Sequence, residues 1–264
     1  MTETSPSIPI AFGTYRIPKE KTVDLVTCAI ESGCRRIDTA QLYKNEEEVW
    51  TAVNEWLVKD TTINHKSSSS KRHISVTTKI HKKLIIDSHK DNRSIETSII
   101  GTPDLILLHS PEKNFHIAWE QLKRLSTQLG ADYTGKSTIG VSNFTILDME
   151  RLSSKPAVNQ IEVTPFNDCK STVDYCIRHG ICIQAHSVLT KGELLNTPEL
   201  CQYATAYSLT VSQLMIAWSI TNKFVPIFSS KSTQHIKEIL STPNTHVILP
   251  NLHVAYRTHP QYQV

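Results

Sequence analysis

Four titratable side chains stand at or just beyond the ends of short apolar runs. Asp38 closes Arg-Arg-Ile-Asp, and Tyr43 follows in the next few residues. Lys79 closes Val-Thr-Thr-Lys, and His109 closes Leu-Ile-Leu-Leu-His. Taken singly, a strand-end lysine is more often a surface anchor, and a strand-end histidine more often a satisfied structural residue. Together they make a chemical set. An isolated tyrosine, with a pKa near ~10, is a poor proton donor at neutral pH. A lysine ammonium beside it stabilises the phenolate and lowers that pKa. An aspartate paired with the lysine keeps it charged and oriented, and a histidine holds a carbonyl oxygen by hydrogen bonding. The set suits protonation of a carbonyl oxygen while hydride arrives at carbon.

These residues need a frame that brings strand ends together. Runs rich in β-branched residues recur at 8–14, 34–38, 73–79, 104–109, 137–142, 157–162, 181–186 and 224–228. DLILLH and ICIQAH are almost wholly apolar, as expected of parallel strands buried on both faces. Segments of helical period fall between them, at 19–32, 46–58, 92–100, 115–129, 146–153, 170–179, 211–221 and 234–240. Eight β-then-α units predict a (β/α)8 TIM barrel with its functional side chains at the carboxyl ends of the strands. An open doubly wound sheet would show a glycine-rich fingerprint after its first strand, and the chain has none there. The whole of 1–264 reads as one barrel domain with a divergent tail from about 241. Ser67–Ser70 reads as a surface insertion at the non-catalytic face.

Composition excludes several other classes. A formal charge of +3, with no long basic face, argues against nucleic acid or membrane partners. No apolar run approaches the ~20 residues that cross a bilayer. Six cysteines form no C-x-x-C pair, which fits free thiols in a reducing compartment. MTETSPSIPI lacks the charged and apolar regions of a signal peptide, so a cytoplasmic protein is expected. The 12 histidines show no H-x-H or H-E-x-x-H spacing, so no metal is expected.

The chain resembles the aldo-keto reductase family. GCRRIDTAQLYKNEEEV is similar to that family's GxRxIDTAxxYxNExxVG, and DLILLHSP to its DLxLxHxP. TIGVSNF and AVNQIE resemble its IGVSNF and NQIE, in the same order. ICIQAHSVL and FVPIFSSKSTQHIKE resemble two later cofactor segments. The resemblance implies reduction of aldehydes or ketones by a nicotinamide cofactor, with Asp38, Tyr43, Lys79 and His109 as a tetrad and Tyr43 as general acid. It implies that Ser142, Asn143 and Gln160 hold the nicotinamide carboxamide, and that Gly13 and Thr14 lie under the nicotinamide. His186 occupies the position of the family's usual stacking tyrosine. Ser229, Ser230, Lys231 and His235 replace the segment that grips the adenosine 2′-phosphate, with the lysine displaced two positions and histidine in the arginine register. NADPH is the expected cofactor, with NADH as the alternative.

Tyr15, His81 and Ser110 are the expected substrate-side residues; tryptophan is common in the family at the last two positions. A more polar or roomier pocket follows. The N-terminal hairpin is nearly absent, and the C-terminal substrate loop has no recognisable counterpart. The expected partner is a small-molecule carbonyl compound, and the expected assembly a monomer or weak homodimer. A non-catalytic cofactor-binding regulatory or interaction protein on the same fold is the alternative function.

Overall fold

The computed structural model describes residues 9–63, 73–81, 99–132, 138–250 and 252. Eight strands form one closed barrel: β1 (Ala11–Gly13), β2 (Arg36–Asp38), β3 (Ser75–Ile80), β4 (Leu105–Leu108), β5 (Thr138–Ser142), β6 (Val158–Glu162), β7 (Cys182–His186) and β8 (Val225–Phe228). Each pairs in parallel with the next, and β8 returns to β1 through Ala11 opposite Ile227. All eight strands lie where the apolar runs predict.

Helices follow the strands: α1 (Lys19–Glu31), α2 (Glu46–Ile63), α3 (Phe115–Asp132), α4 (Ile146–Glu150), α5 (Lys170–Arg178), α6 (Pro198–Ala206), α7 (Val211–Thr221) and α8 (Thr233–Leu240). Two begin on a reciprocal cap legible in sequence. Thr145 with Asp148 opens α4, and Thr210 with Gln213 opens α7. Helix α6 was not expected, although Thr197-Pro198-Glu199 carries a start signal, with proline at the first helical position. The helix expected at 92–100 and the insertion at Ser67–Ser70 fall outside the described residues. Helix α4 ends earlier than expected, with Arg151 as its cap.

Alternation along each strand divides the interior in two. Phe12, Ile37, Val76, Ile106, Val141, Ile161 and Ile183 face outward and join one large apolar layer beneath the helices. Burying each such side chain contributes about 1.5–3 kcal/mol. Inside the barrel the apolar layer is small: Leu105, Leu107 and Val158. Gly140 completes it, because a Cβ there would come within 2.6 Å of the Val158 carbonyl and 2.7 Å of Leu107. Ala11 and Ile227 are also apolar inner positions, and most of the others are polar, with Thr77, Gln184, Gln160, Asp38, Lys79 and Ser142 all buried.

Past α8 the chain leaves regular structure but stays packed. Val247 is buried, and its N–H donates to Thr221 Oγ1 at 2.9 Å. The Tyr207 hydroxyl accepts from the Ile248 N–H at 3.1 Å and donates to its carbonyl at 3.3 Å. Leu252 is buried, and its N–H donates to Pro165 O at 2.8 Å.

Candidate active site

The register of the first three strands brings Gly13, Asp38 and Thr77 level, and Lys79 stands one inward step higher on β3. Its ammonium, 1% exposed, donates to Asp38 Oδ1 at 2.5 Å, to Thr39 O at 3.1 Å and to the Tyr43 hydroxyl at 3.1 Å. Tyr43 sits on a 3₁₀ turn (Gln41–Tyr43) ended by Lys44 at a left-handed φ of 59°. Asn45 stitches that turn to the end of β1, donating to Thr14 O at 3.0 Å and Ile17 O at 3.1 Å. The Tyr15 ring packs 5.1 Å from that of Tyr43, and His109 stands edge-on to it at 5.9 Å. The four residues expected as a tetrad therefore converge at one mouth.

Their protonation follows from burial and charge. Burial opposes the Lys79 charge, but Asp38 and Tyr43 outweigh it, so its pKa lies above the ordinary lysine value. For Tyr43 the expected lowering does not prevail. Burial raises the phenol's pKa, Lys79 pulls it down, Asp38 pushes it up, and the net direction is upward. At neutral pH Tyr43 is a phenol with a proton to give. Burial, then Lys79 and His81, lower the His109 pKa to about 4, against an opposing pull from Glu112. His109 is therefore a neutral imidazole. Its Nδ1 is buried and has no partner among the described residues, which leaves Nε2 as the nitrogen facing the cavity.

The mouth opens into a cavity of about 780 Å³ that runs from these residues across β5, β6 and β7 to the start of α8. Most of the other expected contact residues line it: Gly13, Ser142, Gln160 and His186 at the deep end with Tyr15 and Asn143 more exposed beside them, and Ser229, Ser230, Lys231 and His235 at the outer end. Gly13 admits no side chain, since a Cβ would meet Ile227 at 2.9 Å. Ser142 and Gln160 are register partners across β5 and β6. The Gln160 amide nitrogen donates to Asp38 Oδ2 at 2.8 Å and to Gln184 Oε1 at 2.9 Å. Both amide protons are thus used, and Oε1 is left facing the cavity. The Ser142 hydroxyl accepts from Asn143 Nδ2 at 3.2 Å, and no described residue takes its proton. His186 lies 2.9 Å from Asn143 Oδ1 through Nε2, and 3.1 Å from Ser187 Oγ through Nδ1.

Three expected residues lie elsewhere. Thr14 is fully buried, with its hydroxyl within 3.3 Å of Asp38 O, 3.0 Å of Thr39 Oγ1 and 3.2 Å of Asn45 Oδ1. It supports the turn beneath Tyr43 and is not among the residues lining the cavity. His81 and Ser110 also stand outside the lining and share a partner that sequence reasoning missed. His81 Nε2 lies 2.8 Å from Glu112 Oε1, and Ser110 Oγ donates to the same oxygen at 3.2 Å. The cue was an acidic residue close behind His109. Arg16, Glu162, Ser187, Lys191, Ser212 and Glu238 line the cavity and were likewise missed. Lys191 had a cue in the Lys-Gly pair that ends the loop after β7.

A closed parallel barrel with a polar, charge-paired mouth defines a class of barrel enzymes whose chemistry sits at the strands' carboxyl ends. A model of the Aldo/keto reductase family matches residues 9–247, and the chain belongs to that family. An uncharacterized oxidoreductase of Schizosaccharomyces pombe is 31% identical over 246 residues, covering 89% of this chain and 82% of that protein. Methylglyoxal reductase DkgB of Escherichia coli O157:H7 is 30% identical over 244 residues, covering 88% and 85%. The crystal structure of an aldo/keto reductase from Brucella melitensis superposes with a TM-score of 0.73 at 26% identity, covering 95% of this chain and 94% of that one. The chain is thus an oxidoreductase of this family. None of its described helices is long and apolar enough to cross a membrane.

Proposed function

We propose that the protein reduces small aldehydes or ketones to alcohols with a reduced nicotinamide cofactor, NADPH in the first place and NADH as the alternative. The observation that carries this reading is the hydrogen-bonded file Tyr43–Lys79–Asp38, with His109 facing the same cavity. The cavity also fits the cofactor's carboxamide. Gln160 Oε1 presents an acceptor and Ser142 a hydroxyl proton, side by side on adjacent strands. An amide group needs that complement of one donor and one acceptor.

When bound, the reduced nicotinamide supplies the hydride, and the protein supplies position, charge and proton. Neutral His109 donates from Nε2 to the carbonyl oxygen and holds it beside the Tyr43 hydroxyl. Tyr43 transfers its proton to that oxygen as negative charge develops there. Lys79 stabilises the phenolate left behind, and Asp38 keeps Lys79 charged at its post. Fixing the carbonyl within reach of both groups lowers the barrier by several kcal/mol. The Glu112 carboxylate, with His81 and Ser110, makes the neighbourhood of His109 polar where family members often carry tryptophan. Small polar carbonyl compounds suit such a rim better than aromatic aldehydes. Methylglyoxal belongs in the test panel because the Escherichia coli relative is named for its reduction.

The test is a panel of aldehydes, ketones and dicarbonyls with NADPH and NADH, following absorbance of the reduced cofactor. Turnover with small carbonyls is expected. Cofactor binding with no turnover across the panel would replace this reading with that of a cofactor-binding regulatory protein.

A further inference from the structure

His186 stands at the end of β7, opposite Glu162 of β6, with its ring edge against Asn143 at the end of β5. Its surroundings fix which atom of each group donates. Burial first, then the charges of Lys79 and Lys191 and the neighbouring His109, lower its pKa to about 4, so the ring is neutral and carries one proton. Asn143 Oδ1 can only accept, so the proton is on Nε2. Nδ1 is then an acceptor, and it takes the Ser187 hydroxyl proton. Asn143, its oxygen occupied, turns its amide nitrogen to Ser142 Oγ. The Asn143 backbone is held as well, at φ 61° with its N–H on Gln160 O at 2.9 Å. The bonds run one way: Ser187 to His186, His186 to Asn143, Asn143 to Ser142. The chain ends on the Ser142 hydroxyl, which lines the cavity and whose proton no described residue accepts.

We infer that His186 is a positioning residue: through its Nε2–H it holds Asn143 so that Ser142 presents a donor, and not an acceptor, to the cofactor's carboxamide oxygen. The side-chain edge does this work, whereas the tyrosine usual at this position in the family works through its ring face. A serine hydroxyl rotates freely between the two roles. With one lone pair engaged by Asn143, and no described residue accepting its proton, it has that proton to offer to the cavity. Gln160, its amide protons spent on Asp38 and Gln184, is committed to accepting. The pair reads an amide in one orientation only, which fixes the nicotinamide face turned to the substrate.

This inference rests on the reading that the cavity binds a nicotinamide cofactor, so the unaltered protein is titrated first with NADPH and NADH by fluorescence quenching. Failure of both to bind overturns that reading and this one together. Given binding, three substitutions separate edge from face. His186→Gln places an amide N–H where Nε2–H was. His186→Asn replaces only the Nδ1 side and is too short for Asn143. His186→Phe keeps a ring and removes both polar edges. The expected affinity order is wild type close to His186→Gln, then His186→Asn and His186→Phe weaker by several-fold to about tenfold, the net worth of roughly one hydrogen bond. Transfer from cofactor deuterated on one face of C4 should stay single-sided in His186→Gln and become mixed in His186→Phe. Affinity highest in His186→Phe and lowest in His186→Gln would overturn the inference, as would equal affinities in all three. Ser187→Ala tests the far end of the chain without touching the ring. A weakening of a few-fold supports the chain, and no change at all argues against it.

Discussion

The two ends of the cavity are built on opposite plans. At the deep end the polar groups are bonded to one another: Lys79 to Asp38, Thr39 and Tyr43, Gln160 to Asp38 and Gln184, His186 to Asn143 and Ser187. At the outer end short hydroxyl side chains bond locally, Ser229 to the Tyr15 carbonyl at 3.4 Å and Ser230 around Ser232. The Lys231 ammonium has no partner among the described residues. A preorganised site holds geometry against thermal motion and loses much when one bond goes. A site of separate, solvated contacts loses little from any one of them. Substitutions should therefore have large effects at the deep end and small ones at the outer end.

The largest effect is expected at Tyr43. Tyr43→Phe should lower carbonyl reduction at least ~100-fold, the contribution of a positioned proton donor, while cofactor affinity stays nearly unchanged. Single-turnover rates and quenching titrations on the same preparation check both halves. Asp38→Ala should be felt in folding as well as turnover. It leaves Lys79 buried without its counter-charge, which costs about 3–5 kcal/mol and is read by urea unfolding. If Asp38→Ala is as stable as the wild type, the deep end is less tightly coupled than its bonds indicate.

A smaller effect is expected from pH. His109 and His186 titrate near 4 in the folded chain against an ordinary value of 6.5. Between those values the unfolded chain binds protons that the folded chain refuses, so stability falls as pH drops from about 6.5 towards 4. His109→Gln or His186→Gln should flatten the melting temperature across that window. The smallest effect belongs to the outer end. Lys231→Ala should weaken NADPH by only a few-fold, in keeping with the ~0.2–1 kcal/mol of an exposed charge contact, and leave NADH unaffected. A wild-type preference for NADPH beyond roughly 1000-fold, about 4 kcal/mol, would show that this end is clamped after all.

The same contrast explains what the sequence disclosed. Strands buried on both faces, DLILLH above all, must be apolar for most of their length, so a lysine or histidine closing one stands out. The positions of Lys79 and His109 were legible for that reason, and so were the eight strands; Asp38, behind Arg35 and Arg36, stood out less. Tyr43 was legible only by its closeness to Asp38 and by family resemblance. Side chains whose role depends on contacts far apart in the chain were not legible. Glu112 matters because it meets His81 across two strand ends, and His186 because it meets Asn143 from a different strand. The direction of the Tyr43 shift was missed because a sequence names a charged neighbour but not the degree of burial that outweighs it. Helix α6 escaped because its start signal follows a loop rather than a strand, outside the one-strand, one-helix count.

Asp38 spends its two carboxylate oxygens on different tasks, one on Lys79 and the other on Gln160. In the proposed mechanism the first task belongs to the acid, and the second to the group that would face the nicotinamide. Truncating Asp38 removes both at once. For anyone recruiting this barrel to a new reaction, the outer rim around Ser229 and Lys231 is free to be varied position by position, whereas acid strength and cofactor seating are inherited together and have to be redesigned together.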